Sequence, residues 1–187
     1  MASRAFELSK SLSACWRATP GQRGRLSRAR VRRSVSTNYY ALFHFLLDEI
    51  GQKVVGTHVN LLERRRILAR TISHRGLRTT FDKVRGRAIE PSLANFLRPA
   101  TAARGDSVAA PTFIRDIANA FIDAQDKRHE ADYDLNESLS EADASVLLDL
   151  VRRSIKTWGE AASESDRDFK HALCVLILLR GQLRSDP

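Results

Sequence analysis

Cysteine is almost missing from this chain of 187 residues. Cys15 and Cys174 stand far apart and match neither a disulfide framework nor the spacing of a metal site. A reducing, cytoplasmic setting is the expectation. Long apolar runs are missing as well. The longest, Ala172 to Leu179, is far short of the roughly 20 residues that cross a bilayer, so no membrane partner is expected. Ligand-spaced clusters of His, Cys, Asp and Glu do not occur, and the glycines form no phosphate-cradling loop. Neither a metal nor any other cofactor is expected. No serine or cysteine sits in a recognisable nucleophile setting. Strand patterns, internal repeats and low-complexity tracts are also wanting.

Acidic residues are scarce in one place only. Residues 1–36 hold nine of the 31 Lys and Arg side chains and a single acid, Glu7. The remaining 151 residues are nearly balanced, with 22 basic and 21 acidic groups. The charge of +9 is therefore concentrated at Arg4, Lys10, Arg17, Arg23, Arg25, Arg28, Arg30, Arg32 and Arg33. Such a segment attracts phosphates through counterion release and steers polyanions toward itself. A solvated stretch that keeps the chain dissolved, or an Arg- and Ser-rich transit segment, are the other readings.

What is present is helical periodicity. The spacing predicts helices at about 3–16, 26–50, 59–73, 77–84, 111–130, 140–162 and 166–184. Residues 86–111, which contain Gly86, Pro91, Pro99, Gly105 and Pro111, read as a long loop with one turn near Leu93 to Leu97. Asp132 to Ser138 reads as a polar linker, and Ser140 with Asp143 resembles a capping box. The expected fold is all-α: one domain over 1–187, a bundle of five or six main helices.

Two segments stand out. Along the helix that begins in Arg32–Asp48 and continues to Ile50, one face carries Val35, Tyr39, Leu42, Leu46 and Ile50, a packing stripe. A second face carries Arg33, Thr37, Tyr40, His44 and Asp48, a stripe of hydrogen-bonding and titratable groups. The other segment is Arg128-His129-Glu130-Ala131-Asp132-Tyr133-Asp134, whose Arg128 and Asp132 are spaced to pair along one helical turn. Brought together, the two would make a pocket of cations, phenols and an imidazole. The catalytic candidates are His44, Arg128 and Asp132, and the candidates for holding RNA or phosphate are Arg28, Arg30, Arg32, Arg33, Tyr40 and Tyr133. Histidine exchanges protons near neutrality and arginine binds phosphate in two places. The same groups could instead form an internal polar network that fixes helix register.

The run Arg32-Arg33-Ser34-Val35-Ser36-Thr37-Asn38-Tyr39-Tyr40-Ala41-Leu42-Phe43-His44 resembles the second-helix signature of a branch of HEPN-domain proteins. Arg128-His129-Glu130-Ala131-Asp132-Tyr133 is similar to the Arg-x-x-Ala-Asp-Tyr element of that branch, and the resemblance extends over about residues 5–180. It implies an α-helical bundle, frequently a homodimer. It also implies either a metal-independent ribonuclease of a toxin–antitoxin or phage-defence system or a non-catalytic module beside a nucleotidyltransferase. RNA is the implied ligand, and an antitoxin or nucleotidyltransferase the implied protein partner. The ribonucleases of the family carry an Arg followed, after four to six residues, by a His. This chain departs from that pattern: three residues separate Arg70 from His74 and Arg167 from His171, and seven separate Arg66 from His74.

Overall fold

The structure, a computed structural model, describes residues 28–86, 89–99, 108–134 and 139–179. Among the described residues there are seven α-helices, one 3-10 turn and no strand. The helices are α1 (Arg28–Val55), α2 (Leu62–Ala69), α3 (His74–Val84), α4 (Pro91–Leu97), α5 (Thr112–Tyr133), α6 (Glu141–Glu160) and α7 (Glu164–Leu178), with the 3-10 turn at Val59–Leu61. The all-α expectation holds. The count of five or six does not, because the segment read as a loop contains α4. Pro91 supplies the fixed backbone angle of its first turn, and the helix buries Leu93 and Leu97. The helix expected at about 3–16 lies outside the described residues, as do residues 180–184 of the last one.

The chain divides into two compact units, Met1–Leu46 with Ala120–Ile155, and Leu47–Asn119 with Lys156–Pro187. In the first unit, α1 turns Val31, Val35, Tyr39, Leu42 and Leu46 inward, and all five are buried. Phe121 and Ala124 from α5, and Ala144, Leu147 and Val151 from α6, complete that core. The Tyr39 ring lies 5.5 Å from that of Phe121, and the buried Asn38 donates to the carbonyl of Ala144 at 3.2 Å. In the second unit the core is built by Leu77 and Phe81 of α3, Ile114 and Ile117 of α5, Trp158 of α6, and Phe169 and Leu173 of α7.

Helix ends differ from the expected ones for local reasons. The second helix of the sequence reading was to stop near Gly51, but α1 runs on to Val55 and ends at Gly56, whose φ of 107° is open to glycine. Gly51 serves another purpose: a Cβ there would meet the Arg65 side chain at 3.2 Å, so its absence lets α2 approach. The helix placed at Leu77 starts at His74, because the Ser73 hydroxyl accepts from the Gly76 amide. Ser140 and Asp143 make the expected reciprocal cap, with the Asp143 amide donating to Ser140 Oγ and the Ser140 amide to Asp143 Oδ2. Ser163 and Asp166 repeat the device and open α7 two residues earlier than expected.

Candidate functional site

Helix α5 runs through Asp132 and Tyr133, which the sequence reading placed in a linker. Arg32 explains the extension. Its Nη1 donates to the carbonyls of Glu130 (3.3 Å) and Ala131 (2.8 Å), and its Nη2 to that of Asp134 (2.7 Å). The Glu130 carbonyl also accepts from the Asp134 amide, so Arg32 adds to that last backbone bond and caps the carbonyls beyond it, where a cation also opposes the negative pole of the helix. Arg32, a candidate for holding phosphate, also serves as a cap through its Nη1 and Nη2. Ser36, one turn on, donates its hydroxyl to Asp132 Oδ1. The first turns of α1 thus grip the last turn of α5.

This grip sets the surroundings of Arg128. Its Nε donates to Asp132 Oδ2 at 2.7 Å, an ion pair one turn apart on α5. Its guanidinium carbon lies 5.7 Å from the ring centre of Tyr39, 5.4 Å from Tyr40 and 5.7 Å from Tyr133. The side chain is 15% exposed. Burial works against the charge, yet Tyr40, Asp132 and Tyr133 outweigh it, and the guanidinium pKa lies above its ordinary value. Contacts of a cation with aromatic faces contribute about 0.5–2 kcal/mol each, the larger values where water is excluded. Arg128 is therefore a fixed positive charge with rings around it.

The rings continue outward on both sides. His44, exposed on α1, stacks against Tyr40 at 6.4 Å. His129, exposed on α5, lies 5.5 Å from Tyr133, which is itself 68% exposed. A ladder of His44, Tyr40, Arg128, Tyr133 and His129 results, half-buried at Tyr40 and Arg128 and open at its ends. His129 escaped the sequence reading as a site residue, although its spacing of four from Tyr133 was a readable signal.

The other candidates fall around this ladder. Arg28, Arg30 and Arg33 are exposed on the first turns of α1. The first described turn of α1 contains no acidic residue. Thr37 turns inward to its own helix, donating to the Arg33 carbonyl. Asp48, last of the polar stripe, lies in the second unit and accepts from Gln52 one turn on. No group of three or more His, Cys, Asp or Glu side chains among the described residues is arranged to hold a metal ion. No helix among them is long and apolar enough to cross a membrane. Scans against protein-family models, curated proteins and solved structures find no match to this chain.

Proposed function

We propose that this chain is a HEPN-like RNA-binding protein, with single-stranded RNA as its ligand. The observation that carries the reading is the meeting of its two distinctive segments: Arg128 and Asp132 of α5 against Ser36, Tyr39 and Tyr40 of α1. Around that centre the exposed groups are of the kinds that RNA uses. Tyr133 offers a ring face to an unpaired base, and a stack of this kind is worth about 1–3 kcal/mol. Arg28, Arg30 and Arg33, exposed on α1, offer cations to the phosphates.

The proposal extends to cleavage without metal. A ribose 2′-hydroxyl is already tethered beside its phosphorus, so a base and a fixed positive charge suffice. His44 takes the 2′-hydroxyl proton as the 2′-oxygen bonds to phosphorus. The bond from phosphorus to the 5′-oxygen breaks, leaving a 2′,3′-cyclic phosphate, and the departing 5′-oxygen takes a proton from water. Arg128, oriented by Asp132, opposes the charge that gathers on the phosphate. The test is incubation of the full chain with labelled single-stranded RNA in EDTA, read by anisotropy and by gel. Binding that falls steeply with salt, and cleavage lost in His44→Ala and Arg128→Ala, are the expected results. Absence of binding even at low salt sinks the proposal; binding without cleavage removes its catalytic part alone.

One observation favours a second reading. The charge of Arg128 is already answered by Asp132, and Arg32 is spent on helix carbonyls, which is how a purely structural network would look. Under it the chain is a non-catalytic interaction module that dimerises or works beside a partner such as a nucleotidyltransferase or antitoxin. Failure of RNA binding hands the site to this reading.

A further inference from the structure

A second surface lies in the second unit, on elements the Arg128 cluster does not use. The 3-10 turn Val59–Leu61 and helix α2 bury none of their residues. Large apolar side chains are nevertheless open to solvent there: Val59 is 71% exposed and Ile67 55%, with Leu62 and Val54 also exposed. Elsewhere among the described residues only Tyr133, Val146 and Leu179 are large, apolar and exposed. Concentration of such groups in one short stretch marks a surface that something covers.

The stretch is held in shape, although it has no core of its own. Arg65 donates from Nη1 to the carbonyls of Gly56 (2.6 Å) and His58 (3.1 Å), and its stem lies against Gly51 of α1. His58 accepts from the Asn60 amide and so opens the 3-10 turn. A helix of eight residues without a buried stripe does not persist in water by itself, so these clamps are what keep the face formed. A partner meeting it finds a preformed surface, which lowers the ordering cost of binding.

Its charge is one-sided. Between residues 50 and 81 the chain has seven Lys and Arg and one acid, Glu63. Arg64, Arg66 and Arg70 are exposed, and Arg66 reaches Glu63 at 3.5 Å. At about 100° per residue, Arg66 falls between Leu62 and Ile67 around α2. Cations and aliphatic groups therefore interleave. A bilayer surface calls for the two kinds on separate faces. Single-stranded RNA calls for aromatic platforms, and residues 46–80 contain no Phe, Tyr or Trp. An aliphatic patch set among arginines fits a protein interface, where arginine is enriched and the covered centre is apolar.

We propose that the Val59–Arg70 face docks an acidic, aliphatic-rich segment of a different protein. Its carboxylates meet Arg64, Arg66 and Arg70, and its aliphatic side chains cover Val59, Leu62 and Ile67. The proposal stands independently of RNA binding at the Arg128 cluster. The test is selection of a displayed library of random 16-residue peptides on the full chain, followed by anisotropy with the synthesised winners. The winners are expected to combine Asp or Glu with Leu, Ile or Val, and to bind more weakly as salt rises. Ile67→Asp and Arg66→Glu, each at an exposed position, are expected to keep the helical circular dichroism and the RNA affinity while weakening peptide binding at least tenfold. Winners without acidic and aliphatic residues, or winners that bind both variants as well as the parent, overturn it. So does a self-association in sedimentation, or a pelleting with phosphatidylserine vesicles, that these substitutions abolish; the occupant is then a second copy or a bilayer.

Discussion

Arg128 in the first unit and Lys170 in the second are both cations set against aromatic rings, and the way each is surrounded separates a candidate site from a structural joint. Lys170 lies 5.2 Å from the ring centres of both Phe113 and Trp158, and it is only 5% exposed. Its Nζ donates to the carbonyls of Trp158 and Ala161, which close the end of α6. Trp158 in turn donates its indole N–H to Glu49 at 2.7 Å. Every group there looks inward. Around Arg128 the partners are rings and a carboxylate, and the ladder leads out to Tyr133, His44 and His129 at the surface. A cation spent on carbonyls holds a fold, whereas a cation that orders exposed rings and imidazoles leaves chemistry available.

The largest effect that separates the two is on stability. Lys170→Ala removes two hydrogen bonds from a charged donor, leaves the end of α6 without a cap and opens a cavity between two rings. Together these are expected to cost about 3 kcal/mol, read as a shift of the urea midpoint. RNA affinity, measured on the folded fraction, is expected to stay within twofold of the parent. A variant that kept its stability and lost RNA binding would reverse the roles assigned here.

Both stripes of α1 were legible before the fold was known, because the 3.6-residue period is a local property. Val35, Tyr39, Leu42, Leu46 and Ile50 are all at most 1% exposed, as their spacing required. The capping residues were legible for the same reason, since Ser140 and Asp143 need only each other. Helix ends that depend on distant groups were not. Which of Gly51 and Gly56 ends α1 is settled by Arg65 lying against the first and by the positive φ of the second. The capping contacts of Arg32 were not legible because the carbonyls it reaches are 98–102 residues away. Lys170 gave no signal, for its aromatic partners come from α5 and α6 and only tertiary packing collects them.

A smaller effect is expected on the outer edge of the Arg128 cluster. Tyr133→Ala removes a ring that is mostly in solvent but faces Arg128, so stability should fall by about 0.5–1 kcal/mol. Affinity for single-stranded RNA should fall about tenfold, within the range of a lost base stack, and Tyr133→Phe should restore it. Duplex RNA, whose bases are already stacked, should bind the parent more weakly than the single strand and be indifferent to the substitution. Equal losses for both forms of RNA would assign Tyr133 to phosphate contact instead of stacking.

The smallest effect is on the pH dependence of stability, and it distinguishes the two cations by their acid–base chemistry. Burial, followed by the nearby charge of Lys53, lowers the pKa of Lys170 from its ordinary 10.5, and Glu49 and Asp166 offset only part of this. Between that lowered value and 10.5 the folded chain has released a proton that the unfolded chain still holds. Stability contributed at this position therefore rises with pH through the window. Below it both states are protonated, and the cost of burying the charge is fully present. The difference in urea stability between the parent and Lys170→Met should accordingly grow in favour of the parent from pH 7 toward 10.5. Arg128 stays charged throughout that range and adds no slope of its own. A difference that is flat, or that shrinks as pH rises, would mean that the carbonyls of Trp158 and Ala161 hold the ammonium strongly enough to cancel the cost of its burial.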